Sequence, residues 1–294
     1  MRDDSPFMEE CLSCTAKLTL TRRLFNTVSV ATGFLGLTRG ASAQGLPVTE
    51  TDVDIETTDG TCDSVFIHPT TGSHPAVLIW TDIMGLRPTF RAMGKRLAAE
   101  GYSVLVPNPF YRTSRAPFPQ GPLDFSDPNS MGPVRTAMGG LMLPGATERD
   151  AGTFIEFLDG RPQVDSAKQM GTQGYCMGGP LVMRTAAAYP NRVGAVGSFH
   201  GGGLVTDSPT SPHRLVPKMK AEFHIAVAAN DDEREPDAKN ELRKAFDAAN
   251  MQAVVKVYEG ANHGWCVPGG PVYNKPQAEA AWTALMKMYK GTLA

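Results

Sequence analysis

Short apolar runs of strand length alternate along most of the chain with longer segments whose apolar residues recur at helical spacing. Six runs of five to eight residues are predicted to be strands: 64–69, 76–80, 102–107, 193–199, 222–229 and 253–258. Amphipathic segments between and after these runs are predicted to be helices: 88–101, 147–160, 179–190, 236–250 and 276–290. Thr147 is the expected N-cap of the second helix. A seventh strand, 169–175, is poor in strand-forming residues and is assigned from the motif that follows it.

This alternation predicts a single α/β domain over 44–294, with a mainly parallel central sheet covered by helices on both faces. The segment 108–146 breaks the pattern, because it is long and irregular and contains several prolines, glycines and methionines. Irregular segments of that length are usually functional. We therefore expect 108–146 to be a lid-like loop that packs over another part of the molecule.

The first 43 residues have the layout of an export signal. An arginine pair in LTRRLFNT (20–27) precedes the apolar run VSVATGFLGL (28–37), and ASAQ (41–44) offers cleavage after Ala43. The arginine pair resembles a twin-arginine signal, which is read by export machinery. The apolar run is about half as long as a spanning helix, so no stable membrane anchor is expected. The leader predicts a periplasmic or otherwise exported protein, or a cytoplasmic one if it does not function; an amphipathic N-terminal helix is the alternative.

Composition narrows the classes of function. The 294 residues are 41% hydrophobic, which is enough for one large core, and the formal net charge of −2 gives no indication of nucleic acid as a partner. Neither a dinucleotide-binding G-x-G-x-x-G after the first strand nor a phosphate-binding G-x-x-x-x-G-K-[ST] occurs, and the histidines lack partners at zinc-ligand spacing. No cofactor and no metal are therefore expected.

Five cysteines occur, two of them in the leader. Cys62, Cys176 and Cys266 follow it, and an odd number leaves at least one free thiol or an intermolecular link in an oxidising compartment. Pairing of Cys62 with Cys266 stays open from the sequence.

Cys176 lies in GYCMG (174–178), between the seventh predicted strand and the helix that follows it. This is the spacing of a nucleophile elbow, in which glycines two residues to either side allow a tight turn from strand to helix. Asp232 and His263 each follow a later strand. Ligands of open α/β sheets bind beyond the carboxyl ends of the strands. A thiol, an acid and a base are therefore expected at one edge of the sheet, in the chain order of the α/β-hydrolase triad.

Other predicted strands also end in polar residues: Asp82, Tyr111, Arg112 and His200. The stretch HGGG that begins at His200 follows the cysteine instead of preceding it. It is therefore expected to be a tight turn that lines the pocket.

Five stretches resemble the dienelactone hydrolase family of α/β hydrolases, in the family's order and over nearly the whole chain after the leader. They are IWTDIMGL (79–86), VPNPFYR (106–112), GYCMGG (174–179), AANDDEREP (228–236) and YEGANHGW (258–265). The resemblance implies the α/β-hydrolase fold.

By that resemblance, Cys176 is the nucleophile and His263 is the base. Asp232 is the implied triad acid, because it stands four residues before a proline as the family's acid does; Asp231 or Glu233 is the alternative. A thiol near a helix N-terminus and a histidine has a lowered pKa, which fits a nucleophile at position 176.

Backbone N–H groups of Met177 and Ile83 are expected to form the oxyanion hole. Asp82 aligns with the acidic residue that, in the family, contacts the resting nucleophile. The best-known members carry a longer glutamate there, so Asp82 reaches less far towards the thiol.

Candidate substrate-binding residues are Tyr111, Arg112, Arg115, His200 and Trp265. The resemblance implies that an arginine near 112–115 binds a substrate carboxylate. A second family arginine follows the catalytic histidine, and the corresponding stretch here, HGWCVPGG, has none. The sequence therefore predicts hydrolysis of a small ester or lactone and weakens a dienelactone substrate specifically.

The expected reaction proceeds through a thioester acyl-enzyme on Cys176. Three alternatives stay open: a general carboxylesterase of the same fold, a thiol redox or sensor protein in which Cys176 is oxidised with Cys266 nearby, and a binding protein that retains the fold without turnover.

Overall fold

The computed structural model describes residues 45–121, 123–124 and 127–294. The predicted leader, 1–43, lies outside them, so export remains a prediction. The strands are Val48–Thr57 (β1), Gly60–Pro69 (β2), Ala76–Trp80 (β3), Ser103–Pro107 (β4), Met170–Tyr175 (β5), Val193–Phe199 (β6), Glu222–Ala228 (β7) and Ala253–Tyr258 (β8). The helices are Pro88–Ala99 (α1), Pro128–Leu141 (α2), Ala146–Asp159 (α3), Gly178–Ala188 (α4), Pro212–Leu215 (α5), Ala229–Arg234 (α6), Ala238–Ala248 (α7) and Lys275–Thr292 (α8), with a 3-10 turn at Val216–Lys218.

The eight strands of the described residues form one sheet in the order β1-β2-β4-β3-β5-β6-β7-β8. β1 pairs antiparallel with β2 and β2 pairs antiparallel with β4, whereas the remaining neighbours pair in parallel. Every residue of β3, β5 and β6 is buried, because helices cover both faces of the sheet. The predicted α/β-hydrolase architecture is confirmed.

Two apolar cores lie on opposite faces of the sheet. Phe90 of α1 and Leu285 of α8 belong to one core, while Phe154 of α3 and Leu181 of α4 belong to the other. All four side chains are at most 1% exposed. Because each face carries its own core, the carboxyl edge of the sheet is held rigidly from both sides.

β5 is a strand in spite of its glycines and glutamine because α8 supplies the bulk that its own residues lack. A Cβ on Gly171 would lie 2.9 Å from the Tyr289 ring, so only glycine leaves room for that side chain. The Gln173 side chain donates a hydrogen bond to Tyr175 Oη and accepts one from Tyr289 Oη. Packing against α8 therefore overrides local strand propensity.

Several elements depart from the sequence prediction, among them the short helices α5 and α6, which were not predicted. β1 was not predicted, because its charged residues mask the alternation of an edge strand. The segment 108–146, expected to be irregular, contains α2, which starts at a proline and is capped by Asp127. The residue before α3 is Gly145, whereas Thr147 is buried within the helix and bonds the carbonyl of Leu141.

The turn from β5 to α4 leaves no space for side chains at its glycines. A Cβ on Gly174 would lie 2.1 Å from the carbonyl oxygen of Gly178, and a Cβ on Gly178 would lie 2.4 Å from that of Trp80. Cys176, at the centre of the turn, has a φ of 52°, in the left-handed region. The predicted elbow is therefore present, and its glycines are required by close backbone contacts.

We expect Gly174→Ala to lower the free energy of unfolding by about 1–3 kcal/mol or more, because the added methyl group must displace backbone. Urea unfolding followed by circular dichroism measures this change. Gly139→Ala is the matched control: Gly139 lies in α2 with no atom within 4 Å of an added Cβ, and alanine there should stabilise the helix by up to about 1 kcal/mol. Equal effects of the two substitutions would contradict the steric argument.

Candidate active site

Cys176 occupies the carboxyl end of β5, where the chain turns into α4. Its backbone N–H is shared between the carbonyl of Phe199, at 3.0 Å, and Nδ1 of His200, at 3.1 Å. Cys176 is only partly buried, so a reagent can reach its thiol. The N-terminus of α4 begins immediately after it.

His263 lies on the loop after β8 and connects the thiol with a carboxylate. Its Nδ1 lies 2.6 Å from Oδ2 of Asp231, and the Cys176 side chain is near enough to the imidazole to help raise its pKa. Its backbone N–H donates to Oδ1 of Asn230 at 2.8 Å, which fixes the loop. Burial acts to lower the pKa of His263, but the hydrogen bonds and charges of Asp231 and Cys176 outweigh it and raise that pKa to about 10.

The acid that contacts the histidine is Asp231, so the prediction of Asp232 is wrong in this respect. Asp232 is held by Lys239 instead, with Nζ at 2.6 and 2.7 Å from its two carboxylate oxygens. β7 passes directly into α6, and successive residues of a helix point about 100° apart. Asp231 therefore faces the histidine loop while Asp232 faces α7. The distance of Asp232 from the following proline could not reveal which aspartate faces the histidine, because the helix α6 that sets their directions was not predicted.

Asp82 is bound by Arg87 instead of the thiol. The guanidinium makes two bonds to the carboxylate, at 2.6 and 2.8 Å, and the N–H of Met84 donates to it at 2.9 Å. The contact with Cys176 that the family resemblance implied is thus replaced by an ion pair within one turn. Arg87 was not identified from the sequence, although its spacing of five residues from Asp82 across a tight turn is the signal that could have found it.

The two expected oxyanion donors lie on neighbouring segments of the carboxyl edge. Gly178 packs against the carbonyls of Trp80 and Thr81, so the start of α4 touches the end of β3. Met177 is the residue before that contact, and Ile83 follows the same strand end. The backbones of both residues therefore approach the Cys176 turn.

Tyr111 and Arg112 are structural in the described residues. Both bind Asp150 of α3, a carboxylate that is 2% exposed: Tyr111 Oη donates at 2.8 Å, and Arg112 makes two bonds at 2.7 Å. Arg112 also binds Asp59 in the β1–β2 turn. These contacts pin that turn to α3 and raise the pKa of Arg112 further above its usual range, against the lowering effect of burial.

Arg115 is the more accessible of the two expected carboxylate binders. It pairs with Asp54 of β1 at 2.8 Å, and both side chains are more than half exposed. Such a surface pair contributes little stability. The structure does not bring Arg112 or Arg115 into contact with His263.

His200 and Trp265 lie beneath the histidine and do not line an open pocket. They are 1% and 0% exposed, and their ring centroids are 5.3 Å apart. The His200 ring also lies edge-on to that of His263, at 4.9 Å. Because both side chains are buried, this packing argues against their expected role in direct substrate binding.

The three described cysteines are free thiols. Cys62 and Cys266 are both buried, and burial raises the pKa of each, to about 12 for Cys62 and well above the usual value for Cys266. The open question of a disulfide between them is answered in the negative for this structure. Cys176 is the cysteine with an accessible thiol and a histidine partner.

A cavity of about 560 Å³ lies between α1 and α8, beside the loop that follows β8. Its walls are mostly apolar and include Met93, Trp282, Tyr175, Phe199 and Cys266. Cys176 and His263 do not line it. Within the described part of the chain, no cluster of three metal-ligating side chains and no helix able to span a membrane is found.

Exchanging Asp231 for asparagine should lower the pKa of His263 from about 10, because the charge that stabilises the imidazolium is removed. Asp232→Asn is the matched control and should leave that pKa unchanged. The pair also stabilises the fold in a defined window: its contribution is full below the ordinary histidine pKa of 6.5 and is lost as the pH rises through about 10. NMR titration of the His263 ring, with urea unfolding across that range, measures both effects. A larger shift in Asp232→Asn would contradict the pairing.

Known proteins resemble this chain in sequence and in fold. Residues 62–293 match the sequence profile of the "Dienelactone hydrolase family". A carboxymethylenebutenolidase of Rhodococcus opacus is 26% identical over 229 residues, which cover 76% of this chain and 83% of that protein.

Two solved structures show the same fold. The dienelactone hydrolase-like promiscuous phosphotriesterase P91 from metagenomic libraries superposes with a TM-score of 0.69 at 19% identity, and the dienelactone hydrolase of Anabaena variabilis with 0.58 at 17% identity. Each comparison covers 84% of this chain and 99% of the other. From the extent of the profile match, this chain belongs to the dienelactone hydrolase family and is a hydrolase that acts on ester or lactone bonds.

Proposed function

We propose that this hydrolase cleaves a small ester or lactone with Cys176 as nucleophile, His263 as general base and acid, and Asp231 as the residue that orients the histidine. The observation that carries the proposal is the position of His263, whose Nδ1 lies 2.6 Å from the Asp231 carboxylate and whose pKa is raised by both Asp231 and the nearby Cys176 side chain. A nucleophile, a base and an orienting acid in that sequence of contacts are what acyl transfer requires.

Acylation begins with the thiolate of Cys176 attacking the carbonyl carbon of the ester. A bond forms between sulfur and carbon, and the carbonyl electrons move to oxygen, where N–H groups of Met177 and Ile83 stabilise the oxyanion. The intermediate collapses, the bond to the alcohol oxygen breaks, and protonated His263 gives its proton to that oxygen. The alcohol leaves, or stays attached through the acyl chain in a lactone, and a thioester remains.

Deacylation uses the same histidine in the opposite direction. Neutral His263 takes a proton from a water molecule, whose oxygen attacks the thioester carbonyl. The bond to sulfur then breaks, the acid product leaves, and the Cys176 thiolate is restored beside the imidazolium. The raised pKa of His263 supports this resting ion pair, because it keeps the imidazolium populated at neutral pH.

Competing uses of Cys176 are less well supported. A redox function needs a second thiol within disulfide distance, and the described Cys62 and Cys266 are free and buried, with raised pKa values. A general carboxylesterase differs from a dienelactone hydrolase in substrate and not in mechanism, so the two are distinguished by substrate preference.

Wild-type protein should hydrolyse p-nitrophenyl acetate and form an acyl adduct on the tryptic peptide that contains Cys176. Cys176→Ser should lose about 10³-fold or more in kcat, since the triad acts as a unit. Asp231→Asn should lose about 10²-fold or more through the wrong histidine tautomer. The measurements are steady-state kinetics and mass spectrometry of the acylated protein.

Cys266→Ser and Asp232→Asn are the matched controls, and both should retain wild-type kcat. A wild-type protein that neither turns over the ester nor acquires an adduct would overturn the proposed hydrolysis at this site. An adduct on Cys266 instead would show that Cys266, and not Cys176, is the nucleophile.

Arg112 is not free to bind a substrate carboxylate, because its guanidinium already binds Asp150 and Asp59. Releasing this guanidinium from Asp150 would leave a buried, unpaired carboxylate, and breaking such a pair typically costs about 3–5 kcal/mol. We therefore propose that the substrate is recognised without Arg112, which favours an uncharged ester or lactone over an anionic dienelactone.

Arg112→Met should lower the melting temperature, because Asp150 loses its partner, yet leave the ratio of kcat/KM for an anionic lactone to that for its methyl ester unchanged. Thermal unfolding and paired kinetics on the two substrates measure both quantities. Arg115→Met, which removes only an exposed pair, should leave the melting temperature near that of wild type. A fall in activity confined to the anionic substrate in Arg112→Met would show that Arg112 binds it.

A further inference from the structure

His200 is a buried histidine whose ring is committed to the backbone of the candidate nucleophile. Its Nδ1 lies 3.1 Å from the N–H of Cys176, and an N–H donor requires that Nδ1 be the unprotonated acceptor. The remaining ring proton of a neutral imidazole is then on Nε2. His200 was expected to line the pocket, but its ring points inwards and accepts a hydrogen bond from the backbone N–H of Cys176.

Keeping a histidine in this position is costly. Nε2 is buried and has no hydrogen-bond partner among the described residues, and an unsatisfied buried donor costs about 1–3 kcal/mol. An apolar residue of similar size would avoid that cost. The histidine therefore needs an explanation other than the stability of the core.

The backbone of this region is constrained at two facing positions. Cys176 has a φ of 52° and His200 a φ of 41°, both left-handed, at the ends of the neighbouring strands β5 and β6. The start of α4 packs on the second turn so closely that a Cβ on Gly179 would lie 2.4 Å from Cα of Gly201. Nδ1 shares the Cys176 N–H with the carbonyl of Phe199, at 3.0 Å, and so adds a side-chain tie between the two turns at the residue that carries the thiol.

The groups facing the His200 ring are the His263 and Trp265 rings, the Tyr175 ring at 6.0 Å and the Cys176 peptide. Burial, with the nearby charge of His263, holds the pKa of His200 well below its usual value. His200 therefore stays neutral beside the imidazolium of His263 and places no second positive charge next to it.

We propose that His200 is a positioning residue for catalysis: through Nδ1 it fixes the peptide of Cys176, so that the thiol stays aligned with His263. The inference rests on the proposed function, in which these two groups react. His200 acts through the nucleophile turn and touches no reacting atom.

The test compares His200→Asn with His200→Leu. The asparagine side chain can present Oδ1 near the place of Nδ1, and asparagine tolerates a left-handed φ, whereas leucine keeps apolar bulk and removes the acceptor. His224→Leu is the matched control, because His224 is also buried but bonds Tyr258, away from the thiol. Each variant is first checked by circular dichroism and thermal unfolding.

We expect His200→Leu to lower kcat for p-nitrophenyl acetate by roughly 10- to 100-fold with KM changed by less than about threefold, as a small misplacement of a reacting group does. His200→Asn should restore kcat to within about threefold of wild type. The pKa of His263, followed by NMR titration of its ring, should fall in His200→Leu, because the nearby Cys176 side chain contributes to its raised value. His224→Leu should change neither quantity.

Two results would overturn the inference while leaving the proposed function intact: wild-type kcat in His200→Leu, or an equally slow His200→Asn. If leucine prevents folding, the asparagine variant still decides, since a folded His200→Asn protein with a large loss of kcat contradicts the role of the acceptor. Absence of turnover and of a Cys176 adduct in the wild type would instead overturn the proposed function.

Discussion

The close approach of α4 to the ends of β3 and β5 is the constraint on which the rest of the site depends. Gly174 and Gly178 allow backbone to touch backbone, so the chain reverses direction within a few residues and raises Cys176 above the sheet. The other functional side chains follow the carboxyl ends of their own strands: Asp231 follows β7 and His263 follows β8. The chemistry depends on packing that permits no side chain at two positions.

Around that turn, two carboxylates pair with cations close to them in the chain, and a third reaches a distant histidine. Asp82 pairs with Arg87 and Asp232 with Lys239. Asp231 reaches His263 across the loop after β8, while Arg234 of the same helix also contacts it. One carboxylate oxygen of Asp231 contacts Arg234 and the other lies 2.6 Å from Nδ1 of His263, so Asp231 still contributes to the raised pKa of His263.

Most of the architecture could be predicted from the sequence because apolar period and strand–helix alternation are local signals. The positions of Cys176 and His263 followed from the same signals. The acid could not be chosen, because Asp231 and Asp232 are adjacent and only the direction of α6 separates them. β1 was missed because an edge strand tolerates charge, and the packing role of Arg112 was missed because Asp150 lies on a distant helix. Long-range pairing of this kind leaves no local pattern.

The ion pair between Arg112 and Asp150 closes the chain into a loop across the sheet face. These residues are 38 positions apart, so their ion pair holds the two ends of the intervening segment, which includes α2, close together. A segment whose ends are held together in this way can change in length at little entropic cost, because each doubling of loop length adds only about 0.6 kcal/mol.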